Sequence, residues 1–398
     1  MNLLRRAASL AAVLLLAACG TLDRPPEGVL RVAPGAIVPT TDPRTIASAA
    51  GAPIRLLERE IMGDAAQGPT AILALSGGGA NGAYGAGVLV GWSESGQRPD
   101  FRIVTGVSTG ALSAPFAFLG SSWDPQLAAA YSDGGAKGIL GWRQLATFVQ
   151  PSLYSASALR KLVDNAVTPE LLEAIAAEHA KGRRLLVATT NLDSQETVIW
   201  DMGVIARQGG SEGLSLFKDV LTASASIPGI FPPVLIAGRA PDGRIIQEMH
   251  VDGGVNTPFL AVPESLTLWT RPPGRASAGS IYVLVNGQMG RRDAVTPGKL
   301  SAILKRTYDS SSKASTRAHL AASAAFAKRN GLAFRVTAVP DDVQANSLDF
   351  SEASMTRLFE LGRELGRSGK AWTEWKPSEP PKPPEAGPTP IEAPPAPR

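Results

Sequence analysis

FRIVTGVSTG, residues 101–110, is the stretch on which the reading of this chain turns. Phe101, Ile103 and Val104 have the aromatic and β-branched character of a buried strand. Gly106-Val107-Ser108-Thr109-Gly110 then fits Gly-x-Ser-x-Gly, the pattern of a serine at the tip of a sharp strand-to-helix turn. Gly106 and Gly110 suit such a turn because strand and helix backbones pass too closely for a Cβ. The following ALSAPFAFLG, residues 111–120, predicts a helix whose N-terminus points its free N–H groups at Ser108. The five residues alone also describe an ordinary turn; the strand before and the helix after give them weight.

Two further glycine turns follow strand-like runs. TAILALS, residues 70–76, reads as a buried strand and leads into Gly77-Gly78-Gly79. The next stretch has helical spacing, with Tyr84, Val88 and Trp92 on one face. Such a turn can cradle a phosphate, but no Lys follows it. Asp100, near the spacing a dinucleotide site needs, precedes a strand instead of ending one. The competing reading is that Gly77, Gly78 and Gly79 present backbone N–H groups to a developing oxyanion, which only residues without side chains approach closely enough. The third turn is Asp252-Gly253-Gly254, after a short strand at Glu248–Val251.

A serine nucleophile needs a base. The chain has three histidines. His179 sits in a charged helix end and reads as a surface residue. His319 falls inside an Ala-rich helix, although it alone permits the chain order serine, acid, histidine. His250 shares a strand face with Asp252. None is well placed for a triad, so Asp252 is the better base, unless it merely caps its own turn.

The rest of the chain alternates strands and helices. Helices are predicted over Ala156–Val167, Pro169–Lys181, Leu214–Ser226, Lys299–Lys328 and Ser351–Leu365. Strands are predicted over Arg184–Thr190, Thr197–Met202, Ile281–Val285 and Phe334–Ala338. This pattern implies a three-layer α/β/α sandwich around a mainly parallel sheet, with the site at the carboxyl ends of the strands. Residues 120–183 read less clearly, with loops around Trp123 and Trp142.

The chain of 398 residues is 44 % hydrophobic, enough for one large core. Its net charge of +4 is too small to imply nucleic acid, and Arg5 and Arg6 of the leader carry half of it. Residues 1–18 read as a signal peptide, with a charged start and an apolar run at Leu10–Leu16 too short to span a bilayer. Leu16-Ala17-Ala18-Cys19-Gly20 resembles a bacterial lipobox, and Cys19 is the only cysteine in the chain. The expectation is a lipid-anchored envelope protein, placed by Gly20 at the outer membrane. Residues 19–69 read as the lipidated Cys and an extended tether, with a short helix at Pro53–Met62. Residues 70–372 read as the folded domain and 373–398 as a Pro-rich tail, unable to join a core after Trp375.

The three glycine turns, in this order, resemble the motif set of the patatin-like phospholipase family. ATTNLDS at 188–194, ASASIP at 223–228 and Phe231-Pro232-Pro233 resemble further family segments. The resemblance runs from about Ala71 to Gly366. It implies Ser108 as nucleophile, Asp252 as base, an oxyanion hole from the glycine turn with the N–H of Thr109, and Gly253 and Gly254 shaping the turn after the base. It implies no metal or organic cofactor, and a lipid-ester substrate. In one respect the sequence departs from the pattern: the family usually has Arg or Lys where this chain has Asn81. That leaves phospholipid and neutral ester both open as substrates. Two other readings stay open, a lipid-binding envelope lipoprotein without turnover and a Ser-His-Asp esterase.

Overall fold

The computed structural model describes residues 44–46, 70–131, 156–239, 245–271, 279–290 and 293–375. Cys19, the leader, the proposed Pro53–Met62 helix, Trp142 and residues 376–398 lie outside them. Ten strands form one sheet: β1 (Arg44–Ile46), β2 (Thr70–Leu75), β3 (Ile103–Val107), β4 (Arg184–Asn191), β5 (Glu196–Asp201), β6 (Val234–Arg239), β7 (Ile245–Asp252), β8 (Gly279–Val285), β9 (Ala333–Ala338) and β10 (Thr373–Glu374). The order across the sheet is β1-β5-β4-β3-β2-β8-β9-β10, with β7 also pairing β4 and β6 pairing β7. The five central strands, β4 to β9 in that order, are parallel. All pairs at the margins are antiparallel, so the sheet is mixed with a parallel centre.

Nine α-helices are described: α1 (Gly82–Glu94), α2 (Thr109–Leu119), α3 (Asp124–Tyr131), α4 (Ala156–Ala166), α5 (Pro169–Ala180), α6 (Met202–Gln208), α7 (Gly210–Ser224), α8 (Leu300–Asn330) and α9 (Glu352–Arg367). Successive side chains of β2 point to opposite faces. Leu73 and Leu75 enter one apolar cluster with residues of the other eight helices, while Ile72 and Ala74 enter a second with Phe259, Leu260 and the α8 residues Leu320 and Phe326. The result is an α/β/α sandwich with unequal outer layers. Among the described residues α8 is the only α-helix in its layer's core.

Helices α1 and α9 cross with their backbones nearly touching. A Cβ added at Gly87 or Gly91 would fall about 2 Å from the carbonyls of Phe359 and Arg363. One added at Gly362 or Gly366 would meet those of Tyr84 and Val88. Four glycines therefore set the spacing of this pair, and the Gly-x-x-x-Gly intervals place each pair of them on one helix face.

The structure departs from the sequence reading at the margins. Val234–Arg239, for which the sequence reading names no element, is a strand directly after two prolines; its partner β7 supplies the pairing. Residues 44–46 of the expected tether add to the sheet beside β5, with the Arg44 guanidinium 3.3 Å from Glu248. Thr373 and Glu374 pair with β9, so the sheet runs two residues into the expected tail. Trp375 then meets Phe334 edge to face. These strands make sense only through their partners, which no local pattern reveals. Among the described residues no helix is long and apolar enough to cross a membrane.

Candidate active site

Ser108 stands alone between the end of β3 and the start of α2. Its φ of 57° and ψ of −127° lie outside the ordinary regions for a residue with a side chain. Such backbone persists only where its surroundings over-determine it. Here they do. A Cβ at Gly110 would fall 2.4 Å from the Leu75 carbonyl, so elbow and β2 are in contact. The Ser108 N–H donates to Ser224 Oγ at 3.0 Å, and that hydroxyl donates in turn to the Ala188 carbonyl at 2.7 Å. The Ser108 carbonyl accepts from Ala111 N–H at 2.8 Å.

Asp252 ends β7, opposite Thr189 of β4. Its N–H donates to the Ser226 carbonyl at 3.0 Å. Ser108 Oγ donates to Asp252 Oδ2 at 2.5 Å, and Gly254 N–H donates to Oδ1 at 2.7 Å. The pair is buried. Burial pushes the Asp252 carboxyl up to about 6, against the opposing pull of the hydrogen bonds from Ser108 and Gly254. A carboxylate so held is a stronger proton acceptor than an exposed one and is still ionised at neutral pH.

The glycine turn passes alongside. A Cβ at Gly77 would lie 3.7 Å from Ser108 Oγ. The Gly77 N–H, however, donates to the Pro258 carbonyl at 3.2 Å, which removes it from the set of oxyanion donors expected from the sequence. Among the described residues the N–H groups of Gly78, Gly79 and Thr109 have no partner. The turn is held from behind. Asn286 donates its N–H to Ser76 Oγ at 2.8 Å and its side-chain amide to the Ser76 carbonyl at 2.9 Å. On the other side Ala80 N–H donates to the Ser347 carbonyl at 2.9 Å. Asn81 is buried, and its Oδ1 has no partner.

Gly79 and Thr109 also line an apolar cavity of about 50 Å³, together with Leu112, Phe116, Val163, Leu221 and Met355. Tyr131 lines it too. Its hydroxyl lies 2.8 Å from Ser113 Oγ and donates to the Thr109 carbonyl at 3.1 Å, tying α3 to the first turn of α2.

No histidine hydrogen-bonds to Ser108 or Asp252. His250 Nδ1 pairs with Thr189 Oγ1 at 2.9 Å, and His319 Nδ1 lies 2.9 Å from the Ser315 carbonyl within α8. His179 is buried, contrary to the surface position expected, because α6 packs over it. Burial, then the charges of Arg184 and Arg207, depress it to about 4, so it is neutral. Among the described residues no three metal-ligating side chains gather in one place.

ASASIP, residues 223–228, shows no role of its own in the sequence. The structure supplies one: Ser224 holds the nucleophile's backbone and the Ser226 carbonyl holds that of Asp252. Ser224→Ala would strand a buried N–H and a buried carbonyl, so it is expected to cost about 1–3 kcal/mol in urea unfolding. Because Ser108 would lose its tether, kcat is expected to fall with KM little changed.

Residues 73–263 match the patatin-like phospholipase family. This chain carries a patatin-like phospholipase domain. The family's chemistry is the hydrolysis of lipid acyl esters. No curated protein matches the sequence. Among solved structures the patatin domain is similar to VipD from Legionella pneumophila, at 14 % identity over 76 % of this chain and 67 % of that one, with a TM-score of 0.31. The type III effector protein ExoU is similar at 14 % identity over 75 % of this chain, with a TM-score of 0.21; this chain spans about half the length of ExoU. Likenesses this loose carry no further argument about the patatin domain.

Proposed function

We propose that this protein is a serine lipid acyl hydrolase working through a Ser108–Asp252 dyad. The observation that carries the reading is the 2.5 Å hydrogen bond between the two, buried and without a histidine. Ser108 Oγ attacks the ester carbonyl as Asp252 takes its proton. The N–H groups of Gly78, Gly79 and Thr109 receive the oxyanion. Collapse expels the alcohol, which takes the proton from Asp252 and leaves an acyl group on Ser108. Asp252 then draws a proton from water, the hydroxide attacks the acyl carbonyl, and Ser108 leaves with the proton. The apolar cavity that Gly79 and Thr109 line suits the apolar end of the acyl group. With Asn81 where the family carries a cation, no fixed charge at that position selects a phosphate head group. The test is labelling of the intact protein by a fluorophosphonate, with hydrolysis of a panel of lipid and short-chain esters. Labelling lost in Ser108→Ala is the expected result. An unlabelled wild type that binds lipid without hydrolysing it would favour the non-catalytic lipoprotein.

The lone Cys19 behind an apolar leader supports anchoring by lipid in a bacterial envelope, at the outer membrane. An extended chain from Cys19 to Arg44 reaches up to about 80 Å, enough to let the domain meet a bilayer. Cys19→Ser is expected to move the protein from the membrane to the soluble fraction at high salt, where only a covalent lipid holds.

A further inference from the structure

The first three turns of α8 are built the wrong way round for a helix on a core. Leu300, Ile303, Leu304 and Tyr308 are 72, 46, 60 and 45 % exposed. At about 100° per residue they fall within one arc of about 140°. The face that packs inward later in the helix, at Thr316, Leu320, Ser323 and Ala327, continues back through Ala302 and Asp309. The apolar arc thus faces solvent. Lys299 stands just beyond one edge and Lys305 beyond the other. Val295, in the loop before the helix, is 97 % exposed. From 291 to 308 the sequence has five cations against one carboxylate, Asp293. This end of α8 lies on the active-site edge of the sheet: α8 runs from the carboxyl end of β8 back to the start of the parallel β9, and Lys313 Nζ donates to the Gly290 carbonyl at 2.9 Å, four residues past the Asn286 that clamps the glycine turn.

We propose that this arc of α8, with Lys299 and Lys305 at its edges, seats the active site on an anionic lipid surface. The proposal rests on the hydrolase reading and names the partner on which that site works. A helix with an apolar face bordered by Lys and Arg lies in the plane of a lipid interface, its apolar side chains among the acyl chains and its cations at the head groups. The charge pattern is what favours this occupant over a second copy of the chain, since two such faces would bring their lysines together. Because the start of α8 and the dyad share the carboxyl edge of the sheet, lipid held by the arc lies on the side of the domain where the dyad sits.

The experiment reads binding apart from turnover. In the full chain carrying Cys19→Ser and Ser108→Ala, Leu304→Cys provides a unique thiol for an environment-sensitive dye. Lys181→Cys, just before the opposite end of β4, provides the control. Phosphatidylcholine vesicles with and without about a third phosphatidylglycerol are the probe. A blue shift at position 304 on the anionic vesicles, absent at 181, is expected. Leu300→Ser with Ile303→Ser, both at exposed positions, is expected to weaken vesicle binding at least tenfold. No shift at 304, an equal shift at both positions, or binding unchanged in the double variant overturns the proposal. So does concentration-dependent self-association with no vesicle binding, which would assign the arc to a second copy. Hydrolysis of a soluble monomeric ester by the wild type tests the hydrolase reading separately.

Discussion

Asp252→Asn is expected to remove nearly all turnover while making the protein more stable at neutral pH. The activity loss follows from geometry: Asp252 Oδ2 is the acceptor of the Ser108 proton, and no other base hydrogen-bonds to that hydroxyl. A general base contributes about 10²- to 10⁴-fold. His250→Ala and His319→Ala are expected to change kcat by a few-fold at most, because both rings are held by other partners. The stability gain follows from burial. In the unfolded chain the carboxyl ionises near its ordinary value of 3.8, whereas in the folded state it holds its proton to about 6. Below the lower value both states are protonated and the group is neutral in effect. Between the two the folded state binds more proton, so stability falls as pH rises, by about 3 kcal/mol in all. Above about 6 the penalty is fully present, and the amide escapes it. Urea midpoints for Asp252→Asn should therefore exceed wild type at pH 8 and converge with it near pH 4. The wild-type rate should fall on the acid side near pH 6. More than a tenth of wild-type kcat in Asp252→Asn would refute the dyad.

Gly78→Ala is expected to be as damaging, through the backbone alone. The added methyl would lie 1.9 Å from the Asn286 carbonyl oxygen and 2.5 Å from its Cβ, neither of which is the end of a flexible side chain. Either the turn moves away from Ser108 or the clamp between Asn286 and Ser76 opens. Loss of one oxyanion donor typically costs about 10²- to 10³-fold in kcat, and forcing a methyl into a packed site adds about 1–3 kcal/mol of destabilisation. Gly287→Ala is the matched control, since a methyl there meets nothing within 4 Å, and it is expected to be near neutral. Ester hydrolysis and urea unfolding on the two variants separate a requirement at this turn from a general intolerance of alanine.

The parts of the site that could be read from sequence are those where backbone demands leave a local trace. A serine at positive φ needs glycines at 106 and 110, and a turn crossing Asn286 needs one at 78. The parallel centre was legible because strands covered on both faces are written as unbroken apolar runs, as in Thr70–Leu75. What depends on a distant partner left no such trace. Ser224 is one more hydroxyl in a helix until Ser108 and Ala188 are placed on either side of it. The N–H of Gly77 looked as free as its neighbours until Pro258 came to face it. His179 read as a surface residue because its own helix is charged, whereas α6, which covers it, comes later in the chain. Arg44–Ile46 and Thr373–Glu374 are too short to announce themselves without the strands they join.

The glycine-spaced crossing of α1 and α9 bears on how the molecule comes to exist. The first helix of the domain cannot be covered until residues 352–367 have been made, although the family match ends at residue 263. Met355 of α9 and Phe350 just before it also line the cavity that Gly79 and Thr109 line. A growing chain thus carries its serine and aspartate long before it can enclose them. The enclosure arrives with the last helix, so a chain interrupted after residue 263 has both Ser108 and Asp252 and a cavity without its Phe350 and Met355 wall. That order of events delays closure of the domain until nearly the whole polypeptide is available; under the export proposed above, an extended chain is the form that passes through a membrane pore.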